Sequence, residues 1–275
     1  MKKRILLSLL WMAFLASSCS QILNGKDQIL AFLVDFIPIE VEQALGERTL
    51  ESVVPPNMRL RDAKAQAALE SLMQPLLRLP QHEQKLRIII SQSKELNAFA
   101  LPGGILVFNQ GMLLAAESPE EILGVAAHEL AHVSERHVMS GLVQSMGLMT
   151  IVSAVFGDVE GIAALLVGQG TRLVQSGFSR RHESEADAVG FNSMVAAKLD
   201  PRGMVRFFQR LEKIKQEDPQ NPMVKLQSFF STHPLTGERI ETIAALYEQL
   251  PGSEKKSLKK STFPLKDLQD NLRVK

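Results

Sequence analysis

The apolar positions of residues 62–79 recur at three- and four-residue spacing, which predicts a helix with one face in the core. They are Ala65, Leu69, Leu72, Met73, Leu76 and Leu77. Three short apolar runs follow at 86–90, 98–101 and 105–108, and Pro102-Gly103-Gly104 separates the last two. Short runs divided by turn residues predict a small β-sheet with a tight turn.

A longer helix is predicted to begin at Ser118-Pro119-Glu120-Glu121 and to run through His128 and His132. Ser118 is the expected N-cap, Pro119 suits the first helical position, and Glu121 comes three residues after the cap. Further helices are predicted at 183–197, 203–216 and 236–250.

The two ends of the chain are less regular. Residues 24–60 contain scattered apolar positions and Pro55-Pro56, which predict a short helix or two and a linker. The end from Gly252 onward is lysine-rich, and we expect it to be loosely held and solvated. The expected organisation is a signal at 1–18, an N-terminal segment at 19–60, a main domain at 61–250 and a basic tail at 251–275.

The first twenty residues have the order of a secretory signal. Three basic residues precede an apolar stretch at 5–16, and small residues then lead to Cys19. This order resembles a bacterial lipoprotein signal, in which Cys19 is lipidated and becomes the first mature residue, although Ala16 stands where leucine is usual. The resemblance implies anchoring on the periplasmic side of the cell envelope, and Ser20 favours the outer membrane. The alternative is a plain cleaved signal with an incidental cysteine.

Residues 138–157 contain no charged side chain, so their length alone makes them a candidate membrane span. Polar side chains such as Ser140 and Gln144, and three glycines, favour instead a helix buried in protein or resting on a membrane surface. A second uncharged stretch at 161–171 is too short to return across a bilayer. We expect the methionines of this region, Met139, Met146 and Met149, to belong to the core.

Composition limits the class of protein. The 275 residues are 45% apolar and 22% charged, which describes a packed globular chain of one large domain or two small ones and excludes disorder. The net charge is +1, and it becomes −2 without the three basic residues of the signal, so no nucleic-acid partner is expected. With a single cysteine, no intramolecular disulfide can form.

The segment His128-Glu129-Leu130-Ala131-His132 carries the first candidate chemistry. Two histidines four residues apart lie on one face of a helix, so both rings can bind the same cation. Zinc suits them, and a catalytic zinc site needs one more protein ligand and an open position for water. Glu129 lies beside the first histidine and is a candidate general base.

The third ligand must be a histidine or a carboxylate. The candidates downstream are His137, His182, Glu183, Glu185, Asp187 and His233. Glu183 and Asp187 are four residues apart and share a helix face, whereas Glu185 lies about 200° round the helix from Glu183. One of the pair is expected to bind the metal and the other to accept a proton from a ligand histidine, unless both are simply solvated. We expect His137 and His182 to be surface or local hydrogen-bonding groups.

Two segments together resemble the gluzincin metallopeptidases of family 48, the group of the CAAX prenyl protease, HtpX, BepA and LoiP. They are residues 128–132 and Ser179-Arg180-Arg181-His182-Glu183-Ser184-Glu185-Ala186-Asp187. The resemblance covers roughly residues 60–250. It implies a mostly helical, zincin-type α+β domain with a small sheet beside the active-site cleft. It also implies one Zn²⁺ per chain, held by His128, His132 and Glu183, with Asp187 behind the ligands.

Two further segments resemble elements of this family. Asn97-Ala98-Phe99-Ala100 resembles its cleft strand, along which substrate would bind in extended form. Ser231-Thr232-His233-Pro234 resembles its late His-Pro element, with Arg239 six residues on. His233 or Arg239 is the candidate donor to the oxyanion, with Glu129 as the base. His233 could instead occupy the open zinc position and hold the enzyme inactive, or be a turn histidine fixed by Pro234.

The resemblance implies a zinc endopeptidase that removes misfolded or misassembled proteins of the cell envelope. There is no convincing pair of transmembrane helices as in HtpX and no helical-repeat extension as in BepA, so we expect similarity to short, lipid-anchored periplasmic members. The alternatives are a chaperone or assembly factor that uses the zinc fold to bind clients, and a protease that spans the inner membrane with residues 138–157. An intact Glu129 favours an enzyme, because binding alone does not require it.

Overall fold

A computed structural model describes residues 32–82, 85–146, 177–217, 232–233 and 237–273. The signal with Cys19 and Ser20, residues 147–157 with Met149, the stretch 161–171, and Ser231 and Pro234 lie outside the described residues. Over the described residues the fold is mostly helical with a small mixed sheet, which confirms the α+β prediction.

The helices are α1 (Ile39–Val53), α2 (Ala63–Leu77), α3 (Gln110–Ala115), α4 (Pro119–Ser134), α5 (His137–Met146), α6 (Arg180–Ala196), α7 (Arg202–Glu217), α8 (Gly237–Gln249), α9 (Gly252–Ser257) and α10 (Leu265–Arg273). The strands are β1 (Arg87–Ser91), β2 (Ala98–Leu101) and β3 (Ile105–Asn109). The predicted helices and strands are therefore all present, with ends that differ by a few residues.

The sheet has the order β1-β3-β2. The central strand β3 is parallel to β1 and antiparallel to β2, and the turn between β2 and β3 is the predicted Pro102–Gly104. Every residue of β2 and β3 is buried. Strand β2 lies at the edge of this sheet and contacts α4, so the cleft strand adjoins the helix that carries both candidate histidines.

Helix α4 is the centre of the domain and is buried along almost its whole length. It packs against α6 and α7, and two glycines permit these close contacts. A Cβ on Gly190 of α6 would lie 3.1 Å from the carbonyl of Ala127, and one on Gly124 would lie 2.6 Å from the backbone nitrogen of Met204 on α7. The close approach of α6 brings its carboxylates to the histidines of α4.

The start of α4 differs in detail from the prediction. Ser118 is the N-cap residue and Pro119 the first helical residue, as expected, but the Ser118 side chain makes no capping hydrogen bond. The Glu121 carboxylate accepts a hydrogen bond from the Glu117 amide at 3.0 Å and forms an ion pair with Arg210. Since Glu121 is held by these partners, Ser118 and Glu121 do not form the reciprocal pair of hydrogen bonds known as a capping box.

The described part of the N-terminal segment packs against the main domain. Helix α1 is longer than expected and packs against the Pro102–Gly104 turn. The buried carboxylate of Glu42 accepts a hydrogen bond from the Gly103 amide at 3.2 Å and another from Arg136 Nε at 3.0 Å. Glu42 therefore connects the end of β2 to the residues that follow α4.

The expectation that the chain end is loosely held is wrong for residues 265–273, whereas residues 252–257 contain no buried side chain. Leu268 and Leu272 of α10 are buried, and the helix contacts α2 and α3. Gln269 Nε2 donates a hydrogen bond to the carbonyl of Ala116 at 2.9 Å, directly after α3. Two leucines at four-residue spacing dock this helix, although lysines dominate the composition around them.

No helix among the described residues is long and apolar enough to cross a membrane. The described part of residues 138–157 lies in α5, whose residues Val138, Met139, Leu142 and Val143 belong to the main hydrophobic core. For these residues, the prediction of a helix buried in protein is confirmed, and Met139 is a core residue as expected.

Candidate metal centre

Helix α4 presents His128 and His132 to the same point. Their Nε2 atoms lie 3.1 Å apart and their ring centroids 4.7 Å apart. Both residues are buried. The four-residue spacing therefore has the predicted effect of aiming both rings at one position.

Helix α6 adds Glu183 to this pair. The Glu183 carboxylate lies 3.5 Å from His128 Nε2 and 3.4 Å from His132 Nε2. Asp187, one turn further on, lies on the other side of the His128 ring, with Oδ1 3.0 Å from Nδ1. Because Glu183 faces the ring nitrogens that point at each other, it is the carboxylate placed to bind a metal, whereas Asp187 is placed to orient His128.

His233 joins the same cluster. Its Nδ1 lies 3.1 Å from Glu183 Oε1 and 3.2 Å from His128 Nε2. His128, His132, Glu183 and His233 each offer one ligating atom, and these four atoms all lie within 4.8 Å of one another. His233 thus lies among the candidate metal donors, where a histidine at the open zinc position would have to lie.

The donor set fits a zinc ion. Neutral imidazole and carboxylate are common zinc ligands. Burial would raise the pKa of Glu183, but His233 and the two histidines of α4 hold it well below its usual value, so this side chain is anionic. Burial lowers the pKa of His132 well below its usual value, so that ring is neutral.

The buried charges around the histidines also favour a bound cation. Glu129, Glu183 and Asp187 are buried carboxyl groups, and Arg239 is the buried guanidinium beside them. Burial disfavours a charged His128 ring, yet Asp187 and Glu183 raise the pKa of His128 to about 10. The carboxylates therefore attract positive charge to the position between the histidines, where a divalent cation would satisfy them.

Arg239 contacts two carboxylates of the site. Its Nε and Nη2 donate to Asp187 at 2.7 Å and 2.8 Å, and Nη1 lies 2.7 Å from Glu183 Oε2. These contacts hold Glu183 and Asp187 in place. They favour a positioning role over the oxyanion-donor role, for which Arg239 was one of two candidates, because the guanidinium is directed at the carboxylates.

Glu129 is fully buried beside the donor set but outside it. Its Oε1 lies 3.3 Å from His233 Nε2. Burial raises the pKa of Glu129, although the nearby histidines His233 and His128 act in the opposite direction. A carboxylate with a raised pKa close to the metal position suits a group that takes up a proton.

The cleft lies between β2 and His233, one of the four candidate metal donors. A cavity of about 260 Å³ is lined by Phe99, Ala100 and Leu101 on one side and by Phe178 and His233 on another. Asn97 and Ala98 do not line this cavity, and the Asn97 carbonyl accepts a hydrogen bond from the Asn109 amide at 3.0 Å. The predicted substrate strand therefore reaches the cavity with its second half, Phe99 to Leu101.

His137 contacts the site through His132, a contact that the sequence did not predict. We expected His137 and His182 to be surface or local hydrogen-bonding groups; both are buried, so the surface alternative is wrong, and His137 is a local hydrogen-bonding group. His137 Nδ1 lies 3.0 Å from His132 Nδ1, and its ring stacks on His182 at 4.4 Å between centroids. Burial, followed by the charge of His182, lowers the pKa of His137 to about 3, so the ring is neutral.

The five-residue spacing of His132 and His137 does not predict their contact. Five residues correspond to about 140° round a helix, so a continuous helix would point His137 away from His132. Arg136 instead has a left-handed backbone with φ of 51°, and a new helix, α5, begins at His137. Phe178, which stacks on the His132 ring at 3.8 Å between centroids, gave no signal in the sequence either.

Comparison with known proteins agrees with the geometry of the site. The model of "Peptidase family M48" matches residues 59–247. The chain belongs to peptidase family M48. The predicted family is therefore confirmed, and the M48 match includes every metal donor described above.

Several M48 relatives are similar over part of their length. The putative beta-barrel assembly-enhancing protease of Vibrio cholerae is 29% identical over 174 residues, which cover 58% of this chain and 34% of that protein. Metalloprotease LoiP of Escherichia coli is 28% identical over 158 residues, covering 56% and 60%. The mitochondrial metalloendopeptidase OMA1 of Schizosaccharomyces pombe is 32% identical over 163 residues, covering 58% and 45%. The matched part of this chain spans at most three fifths of these relatives.

Proposed function

We propose that this M48 chain is a zinc-dependent endopeptidase that hydrolyses misfolded or damaged proteins of the cell envelope. The observation that carries the proposal is the buried cluster of His128, His132 and Glu183 with the Glu129 carboxyl beside it. Support for the substrate class comes from relatives whose names describe a metalloprotease and a protease that enhances β-barrel assembly.

In the proposed reaction, different residues of the site bind the metal, transfer the proton and orient a metal ligand. Bound by His128, His132 and Glu183, one zinc ion would supply a Lewis acid and lower the pKa of a water molecule. Glu129 would take up a proton at its carboxylate and later deliver it to the leaving amine. Asp187 would accept the proton of His128 Nδ1, which keeps Nε2 free to bind the metal.

Substrate would bind as an extended segment along the second half of β2. Phe99, Ala100 and Leu101 border the cavity, and β2 is paired on one side only, with β3, among the described residues. An edge strand can offer main-chain hydrogen bonds that are independent of the substrate sequence. This arrangement suits a protease that acts on unfolded chains of many sequences.

We place the protein on the periplasmic side of the cell envelope, anchored in the outer membrane through lipid at Cys19. The order of the first twenty residues supports this location. A single acyl chain gives only marginal membrane binding, so durable attachment requires the several chains of a mature lipoprotein or a second contact. The near-neutral charge of the chain gives no support for a nucleic-acid partner.

Degradation of unfolded casein tests the function directly. We expect the purified protein to cleave casein, to stop when a chelator removes the metal, and to recover when zinc is returned, since the proposed reaction needs the ion. Circular dichroism of the chelated protein serves as the control that the fold persists. Casein degradation that is insensitive to the chelator would contradict the zinc mechanism. Suppression of casein aggregation without cleavage would favour the chaperone alternative.

His233 is proposed to close the fourth zinc position at rest. Its Nδ1 lies in the donor set, where water would otherwise bind. The His233→Ala protein is therefore expected to cleave casein several-fold faster than wild type at equal zinc content. Initial rates at saturating casein, with zinc measured in the same samples, check this. A slower variant that keeps its zinc would instead identify His233 as a donor to the oxyanion.

A further inference from the structure

The two histidines of α4 have different partners at their second nitrogen. His128 Nδ1 faces a carboxylate, Asp187 Oδ1, at 3.0 Å. His132 Nδ1 faces another imidazole, His137 Nδ1, at 3.0 Å. Ligand histidines are usually oriented by a carboxylate, a carbonyl or water, so the partner of His132 is unusual.

The contact between His132 and His137 fixes the positions of their protons. His132 Nε2 points at the metal position, so its proton must be on Nδ1 when the ring binds metal. His137 Nδ1 must then be the acceptor, which leaves the proton of His137 on Nε2. His137 Nε2 lies 3.4 Å from Glu185 Oε2, where a carboxylate can accept that proton.

We propose that His137 is a positioning residue that orients the zinc ligand His132 through a Glu185–His137–His132 relay. The proposal rests on the zinc site of the proposed function. In it, His132 donates from Nδ1 to His137, and His137 donates from Nε2 to Glu185. The relay gives Glu185 a role although its position on α6 points away from the metal.

The surroundings of His137 keep its ring in the orientation that the relay needs. The ring is almost fully buried and stacks on His182 with an angle of 17° between the two planes. The left-handed turn at Arg136 brings His137 back over α4, and the guanidinium of Arg136 is itself held by Glu42 at 2.8 Å. The ring therefore has little freedom to rotate away from His132.

Zinc affinity of the full chain tests the relay, measured by competition with a chromophoric chelator. His137→Phe keeps an aromatic ring beside His182 but has no acceptor, so we expect affinity to fall by about tenfold to a hundredfold. His137→Asn offers an oxygen close to the position of Nδ1 and should recover most of the loss. Glu185→Gln should have a smaller effect, because the Glu185 side chain is 41% exposed and water can replace it.

The outcomes separate the relay from the proposed function. A wild-type protein that binds no zinc would refute the zinc site itself. Wild-type zinc binding with an equal affinity for His137→Phe would refute the relay alone. Nitrogen NMR of zinc-loaded wild type provides a second readout that needs no variant. We expect His137 to carry its proton on Nε2 and His132 on Nδ1, and a proton on His137 Nδ1 would overturn the inference.

Discussion

Replacement of Glu129 by glutamine is expected to slow casein hydrolysis by about 10²- to 10⁴-fold, the contribution typical of a general base. Glutamine has nearly the same shape but cannot take up a proton. Because Glu129 is not one of the four clustered donors, the variant should retain zinc. Initial rates at saturating casein, together with zinc content of the same samples, provide the measurement.

Glu120 gives a matched control for this variant. It is a buried glutamate on the same helix, and its Oε1 accepts a hydrogen bond from the Ser261 amide at 2.6 Å. Ser261 is not one of the site residues. Glu120→Gln keeps that acceptor, so its activity should stay close to wild type. Full proteolysis by a zinc-loaded Glu129→Gln protein would contradict the assignment of the base.

Replacement of Glu183 by alanine is expected to abolish both zinc binding and proteolysis. The carboxylate lies within 3.5 Å of His128, His132 and His233, and it also pairs with Arg239. Its removal would take away one of the three proposed protein ligands, so the loss of zinc affinity should exceed the roughly 10- to 100-fold loss typical of changes to residues that orient a ligand. Equilibrium dialysis against zinc measures the affinity.

Asp187→Asn distinguishes a ligand from a residue that orients one. Asparagine can still accept the proton of His128 Nδ1, but it weakens the pairing with Arg239. We expect a loss of zinc affinity of about tenfold to a hundredfold, smaller than that of Glu183→Ala. If Asp187→Asn lost more zinc than Glu183→Ala, the roles of the two carboxylates would have to be exchanged.

Local periodicity explains why much of the site was predictable. His128 and His132 share a helix face by their spacing, and the same argument pairs Glu183 with Asp187. Which carboxylate faces the metal depends on how α6 lies against α4. That packing is set by close helix contacts such as the one at Gly190, and the sequence pattern does not report it.

The missed features depend on contacts between distant or irregular parts of the chain. The role of His137 requires a left-handed backbone conformation at Arg136, and no local sequence pattern predicts that conformation. Arg239 was one of two candidates for the oxyanion donor, but two buried carboxylates hold its guanidinium. Helix α10 docks through Leu268 and Leu272, while composition alone described a solvated tail. In each case tertiary packing outweighs the local signal.

The most direct test of the whole account is the metal environment of the purified wild-type protein, measured by X-ray absorption at the zinc edge with quantified zinc. We expect one zinc ion per chain, with nitrogen and oxygen ligands at about 2.0 to 2.2 Å and scattering from imidazole rings. A folded protein that takes up no zinc, or zinc bound without imidazole, would contradict it.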